Sequence, residues 1–88
     1  MGLDAGIHEN TISLKLGPNP VTEDLFINGL SSDAAYQLIS TEGKIIQSGN
    51  INFQGEQTSL RLEGLKSGTY LIHITDGEKQ FAQRIIKQ

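Results

Sequence analysis

Apolar residues recur at alternate positions along most of this chain, and glycine or proline interrupts the pattern about every ten residues, the rhythm of many short strands. Tyr70, Ile72 and Ile74 alternate with Leu71, His73 and Thr75. Thr58, Leu60 and Leu62 alternate with Ser59 and Arg61, and Ile12, Leu14 and Leu16 with Ser13 and Lys15. A side chain repeats its direction every second residue only in an extended strand, so each stretch presents one apolar face. No segment carries apolar residues at the spacing of about 3.6 that an amphipathic helix requires. The chain is therefore expected to be all-β.

Strands are expected around Ile12–Leu16, Leu25–Ile27, Ala35–Ser40, Ile45–Gly49, Thr58–Leu62, Gly68–Thr75 and Phe81–Ile86. Gly17-Pro18-Asn19-Pro20 ends the first, because each proline fixes its own φ and drives the preceding residue to extended geometry. Asn28-Gly29 and Gln54-Gly55-Glu56 are turn signals. Thr41-Glu42-Gly43-Lys44 joins two apolar runs as a hairpin, and Asp76-Gly77 opens another. Gly49 reads as a bulge or bend that lets Ile51 and Phe53 continue inward. Leu65, alone in the Gly64–Gly68 loop, reads as a plug for one end of the core. About seven short antiparallel strands with glycine-rich turns point to a small immunoglobulin-like β-sandwich, with a small barrel as the alternative. Residues 1–10 are polar and aperiodic and read as a linker or an expression-derived tail, leaving residues 11–88 as the domain.

Composition narrows the function classes. With 88 residues and 36% hydrophobic content, the chain supports a thin core and no large apolar cavity. Its seven Lys and Arg residues are dispersed, so neither a nucleic-acid partner nor insertion into a membrane is expected. Cysteine is absent, which excludes disulfides and thiolate metal sites. Met1-Gly2-Leu3-Asp4 lacks the basic and apolar regions of a signal peptide. The two histidines, His8 and His73, fall in the tail and in mid-strand, and no serine has an elbow-like setting. Glu23, Asp24 and Asp33 lack the spacing of a calcium loop and read as solvated turn carboxylates. No phosphate-cradling glycine motif occurs. The expectation is a protein that is not an enzyme and takes no cofactor.

Three patches give the reading a direction. Leu16-Gly17-Pro18-Asn19-Pro20 is followed by Leu25-Phe26-Ile27. Tyr36-Gln37-Leu38-Ile39-Ser40 runs through Thr41-Glu42-Gly43-Lys44 to Ile45-Ile46. Leu62-Glu63-Gly64-Leu65-Lys66-Ser67-Gly68-Thr69-Tyr70-Leu71-Ile72-His73-Ile74 leads on to the close, Arg84-Ile85-Ile86-Lys87-Gln88. In order and spacing they resemble the type A C-terminal sorting domain of the type IX (Por) secretion system of Bacteroidota, over about Leu14 to Gln88. Gly17 stands where members of that family often carry an aromatic residue.

The resemblance implies a secretion signal at the C-terminus of an exported cargo. Such a domain folds in the periplasm and is read by an outer-membrane translocon. In many cases a sortase-like protease then removes it, and the cargo is released or attached to lipopolysaccharide. Under this reading Ile85, Ile86, Lys87 and Gln88 are the recognition residues, placed at a free end whose edge either pairs with a partner or closes the sandwich. Pro18, Asn19, Pro20, Gly43, Gly68 and Tyr70 read as structural, with Asn19 bonding nearby backbone and Tyr70 a core or corner aromatic. A spacer or carbohydrate-binding module of immunoglobulin-like or fibronectin-like form on an extracellular enzyme is the competing reading. Monomer and strand-paired dimer stay open.

Overall fold

The computed structural model describes residues 14–55, 57–77 and 79–88. The expected tail, His8, Ile12, Ser13 and Glu56 lie outside the described residues. Seven strands follow in order: β1 (Lys15–Gly17), β2 (Asp24–Asn28), β3 (Ala34–Ser40), β4 (Ile45–Ile51), β5 (Gln57–Arg61), β6 (Gly68–Asp76) and β7 (Lys79–Lys87). They form two antiparallel sheets, ordered β1-β2-β5 and β4-β3-β6-β7. The chain crosses between sheets after β2, β4 and β5, so hairpin neighbours β3–β4 and β6–β7 flank the central β3–β6 pair. The expected small all-β sandwich of about seven antiparallel strands is what forms. The barrel alternative falls away, because among the described residues the strands pair in two separate ladders, with Val21–Lys87 the isolated bridge between their ends.

The alternating sequence pattern becomes the core directly. Leu25, Ile27 and Leu60 face inward from the three-stranded sheet, and Leu38, Ile72, Ile74 and Ile85 face them from the other. Each such side chain contributes roughly 1.5–3 kcal/mol by leaving water, which offsets the ordering entropy of a small domain. Val21 and Leu62 are fully buried, and half-buried Leu65 packs against the core cluster, in keeping with a plug.

Two expectations are corrected. Gly49 does not make a bulge; the register shift lies between Leu38 and Ile39, with Ile39 opposite Ile45 and Leu38 opposite Gln47. Gly49 faces Tyr36 across the ladder, and a Cβ there would stand 3.4 Å from the phenol ring. Its missing side chain leaves room for the ring, whose hydroxyl accepts a hydrogen bond from Gln47 Nε2 at 2.8 Å. Phe53 does not continue inward: it is 40% exposed, because β4 ends at Ile51. Its amide donates instead to Asp33 Oδ1 at 2.7 Å.

Thr58 points into the core at 2% exposure, and its Oγ1 finds no hydrogen-bond partner among the described residues. A buried hydroxyl without a partner carries an uncompensated desolvation cost. Thr58→Val, which keeps the shape, is therefore expected to stabilise the domain by about 1 kcal/mol. Thermal unfolding checks this, with a rise in Tm of roughly 4–8 °C expected for a domain of this size.

Candidate functional site

The end of β7 is held on both edges. On the inner edge, Ile85, Ile86 and Lys87 pair with Tyr70, Thr69 and Gly68. On the outer edge lies the segment after the first proline turn. Asn19 Oδ1 accepts from the Ile86 amide at 2.9 Å, the Val21 amide donates to Ile86 O at 2.8 Å, and the Gln88 amide donates to Val21 O at 2.8 Å. The prolines explain why this segment is available to do so. They keep it extended and out of any helix, and they lack amides that would otherwise seek partners there. Asn19 then supplies by its side chain the acceptor that the backbone of an adjoining strand would supply.

The remaining motif residues gather at the same end. Ser40 and Tyr70 lie opposite each other, and Tyr70 lies opposite Ile85, so the β3–β4 turn stands beside the end of β7. That turn closes through Gly43 N to Ser40 O at 2.9 Å and Ser40 N to Lys44 O at 2.8 Å. Gly43 has φ 88, a left-handed conformation that costs glycine little. Tyr70 has a buried ring, and its hydroxyl donates to Lys66 O at 2.7 Å, tying the loop before β6 to the sheet. Patches far apart in sequence thus meet around Ile85–Gln88.

The four expected recognition residues divide by face. Ile85 is fully buried and Lys87 is 7% exposed, whereas Ile86 is 45% exposed and Gln88 is exposed. Lys87 lays its stem along the interior and donates from Nζ to Gln88 O at 2.9 Å. Val21 is not singled out by sequence, although it makes two of the three outer-edge hydrogen bonds. The only signal was an apolar residue directly after Pro20, which in strand context needs somewhere to bury.

Among the described residues, the other singled-out side chains stand apart. His73 is half-buried on the outer face of its sheet, and its Nε2 faces Gln80 Oε1 at 3.1 Å, with no serine or carboxylate partner among the described residues. The carboxylates Glu23, Asp24 and Asp33 go separate ways: Asp33 holds the Phe53 amide, and Asp24 stands 4.0 Å from Arg61. Arg61 also forks onto Glu63 Oε1 at 2.9 and 2.7 Å. That hydrogen bond, with the charges of Glu63 and Asp24, holds the guanidinium above its ordinary value. Among the described residues no three potential ligands cluster as a metal site, and no helix is long and apolar enough to cross a membrane.

Fold and site together define an immunoglobulin-like all-β module organised around its last strand. The family model described as "Secretion system C-terminal sorting domain" matches residues 15–88, and the chain belongs to that family. It is a type IX secretion sorting signal, a family of signals and not of known enzymes. Such a signal is attached to a cargo, interacts with the type IX machinery and accompanies export across the cell envelope. Comparison with curated proteins gives no match.

Asn19→Ala removes the acceptor of the Ile86 amide without touching the core. A loss of about 1 kcal/mol is expected, with Asn19→Asp, which keeps an acceptor oxygen, within about 0.5 kcal/mol of the parent. Denaturant unfolding of the two variants measures both values.

Proposed function

We propose that this domain, residues 11–88, directs its attached cargo across the outer membrane through the type IX translocon, and that the translocon reads the folded end built around Ile85–Gln88. Residues 1–10 then serve as a linker or are an expression-derived tail. After passage a sortase-like protease removes the domain, and the cargo is released or attached at the cell surface. One observation carries the reading: the proline turn at 18–20, the Gly68-Thr69-Tyr70 motif and the last strand, separate in sequence, form one hydrogen-bonded unit. Side chains that a partner can touch there are Ile86 and Gln88. Ile85 and Lys87 act from inside, by setting the strand that displays the other two.

The competing module reading gains little support. Tyr36 and Tyr70 are buried in the core, while the exposed rings Phe26 and Phe53 belong to different segments, β2 and the stretch after β4. Sugar recognition by stacking calls for aromatic faces grouped on one surface.

Fusion of residues 11–88 to a periplasm-directed reporter, in a host with this secretion system, tests the proposal. The reporter is expected outside the cell in the parent host and in the periplasm of a translocon-deficient host. Retention in the periplasm of both hosts contradicts the reading. Gln88→Ala and Ile86→Ser are each expected to reduce export while leaving the fold intact by circular dichroism.

A further inference from the structure

The outer face of the four-stranded sheet carries an apolar row at the same end. Ile39 stands opposite Ile45 on one side and Leu71 on the other, and Leu71 stands opposite Arg84. Ile86 is the next outward residue along β7. Ile45, Leu71 and Ile86 are 53%, 41% and 45% exposed. The next outward positions along these strands are Ser48, Gln37, His73 and Ala82, so polar groups bound the row on that side except at the small Ala82.

One charge sits within the row. Arg84 is exposed and makes no ion pair or side-chain hydrogen bond among the described residues. Beside it is an open depression of about 330 Å³ lined by Ser40, Thr41, Thr69, Tyr70, Leu71 and Arg84. The Ser40 hydroxyl accepts from the amides of Glu42 and Lys44, both at 3.3 Å, which leaves its proton free to donate. A guanidinium next to hydroxyl donors on an apolar floor matches a carboxylate carried on an apolar chain.

Size and charge select the occupant. Four strands at about 4.8 Å spacing span roughly 14 Å, and two residues along each add about 7 Å. The row thus covers on the order of 100–200 Å², far below the roughly 800 Å² per partner of a stable dimer. The depression is too shallow to enclose an acyl chain, as a lipid site requires. We propose that this face receives a short segment of a partner protein, with apolar side chains over Ile39, Ile45, Leu71 and Ile86 and one carboxylate over Arg84. The identification of that partner as export machinery rests on the sorting reading.

Two measurements test the surface separately from that reading. In the first, the 88-residue chain is titrated, with amide shifts recorded, with a blocked peptide of alternating leucine and aspartate and with its leucine–asparagine counterpart. The aspartate peptide is expected to shift Leu71, Arg84 and Ile86 and to bind about fivefold more tightly, the upper end for an exposed ion pair. Arg84→Glu is expected to abolish the difference. Equal binding of the two peptides, or shifts elsewhere, overturns the proposal. In the second, Leu71→Ser, Ile45→Ser and Arg84→Glu in the reporter fusion are each expected to lower export about tenfold with an unchanged thermal transition, the effect of a modest interface anchor. Phe26→Ser, on the other sheet, exports as the parent does. Normal export of all three row variants denies the surface a role in sorting, whereas failure of the parent fusion alone counts against the sorting reading. Row-dependent dimerisation by sedimentation, or row-dependent flotation with phosphatidylglycerol vesicles, would assign the face to another occupant and overturn the proposal.

Discussion

Three hydrogen bonds between the proline-turn segment and the last strand hold this structure's functional end together: Asn19 Oδ1 with Ile86, and Val21 with Ile86 and Gln88. An edge strand presents alternate amides and carbonyls to solvent, which invites pairing with other chains. Both groups of Ile86 point away from β6, so by parity the outward groups further along β7 belong to Arg84, Ala82 and Gln80. Those lack a strand neighbour among the described residues, while the last residues do not. The strand is therefore open along its first part and sealed at its end. The seal also joins the two sheets, because Val21 leads into β2 of one and bridges to β7 of the other.

Burial follows from that arrangement. With its strand held on both edges, Ile85 is fixed in the core opposite Tyr70, and Val21 is drawn to zero exposure at the same end. Tyr70 secures the neighbouring loop through Lys66, and Ser40 organises the adjacent hairpin turn. The outcome is the display of Ile86 and Gln88 at the surface from a strand held on both edges. A sorting signal has to be foldable and readable, and it needs no chemistry of its own. The proposed role asks for nothing that this end of the sandwich lacks.

The sequence made much of the fold legible because period-two alternation reports burial directly. Tyr70, Ile72 and Ile74 face inward as their spacing requires, and the Thr41–Lys44 turn lies where its glycine places it. What escaped was decided by contacts between distant residues. Gly49 looked like a backbone irregularity, and only the cross-strand register shows it making room for the Tyr36 ring. Phe53 fitted an inward parity, yet parity ends with the ladder, and Asp33 captures its amide beyond that point. Asn19 was readable as a residue that bonds nearby backbone, but its partner lies 67 positions away. No local pattern carries a separation of that kind. The alternation of Ile85 with Ile86 was legible in the sequence, while the outer-edge partners of Ile86 and Gln88 needed the fold.

Native-state hydrogen exchange of individual amides tests the central claim most directly. If the proline-turn segment seals the end of β7, the Val21, Ile86 and Gln88 amides exchange as slowly as those of the β6–β7 ladder. Ala82 and Arg84, on the open part of the same edge, exchange far faster. Rapid exchange of Ile86 and Gln88 at the rate of Ala82 and Arg84 would show that the strand is an ordinary free edge, and would contradict the account.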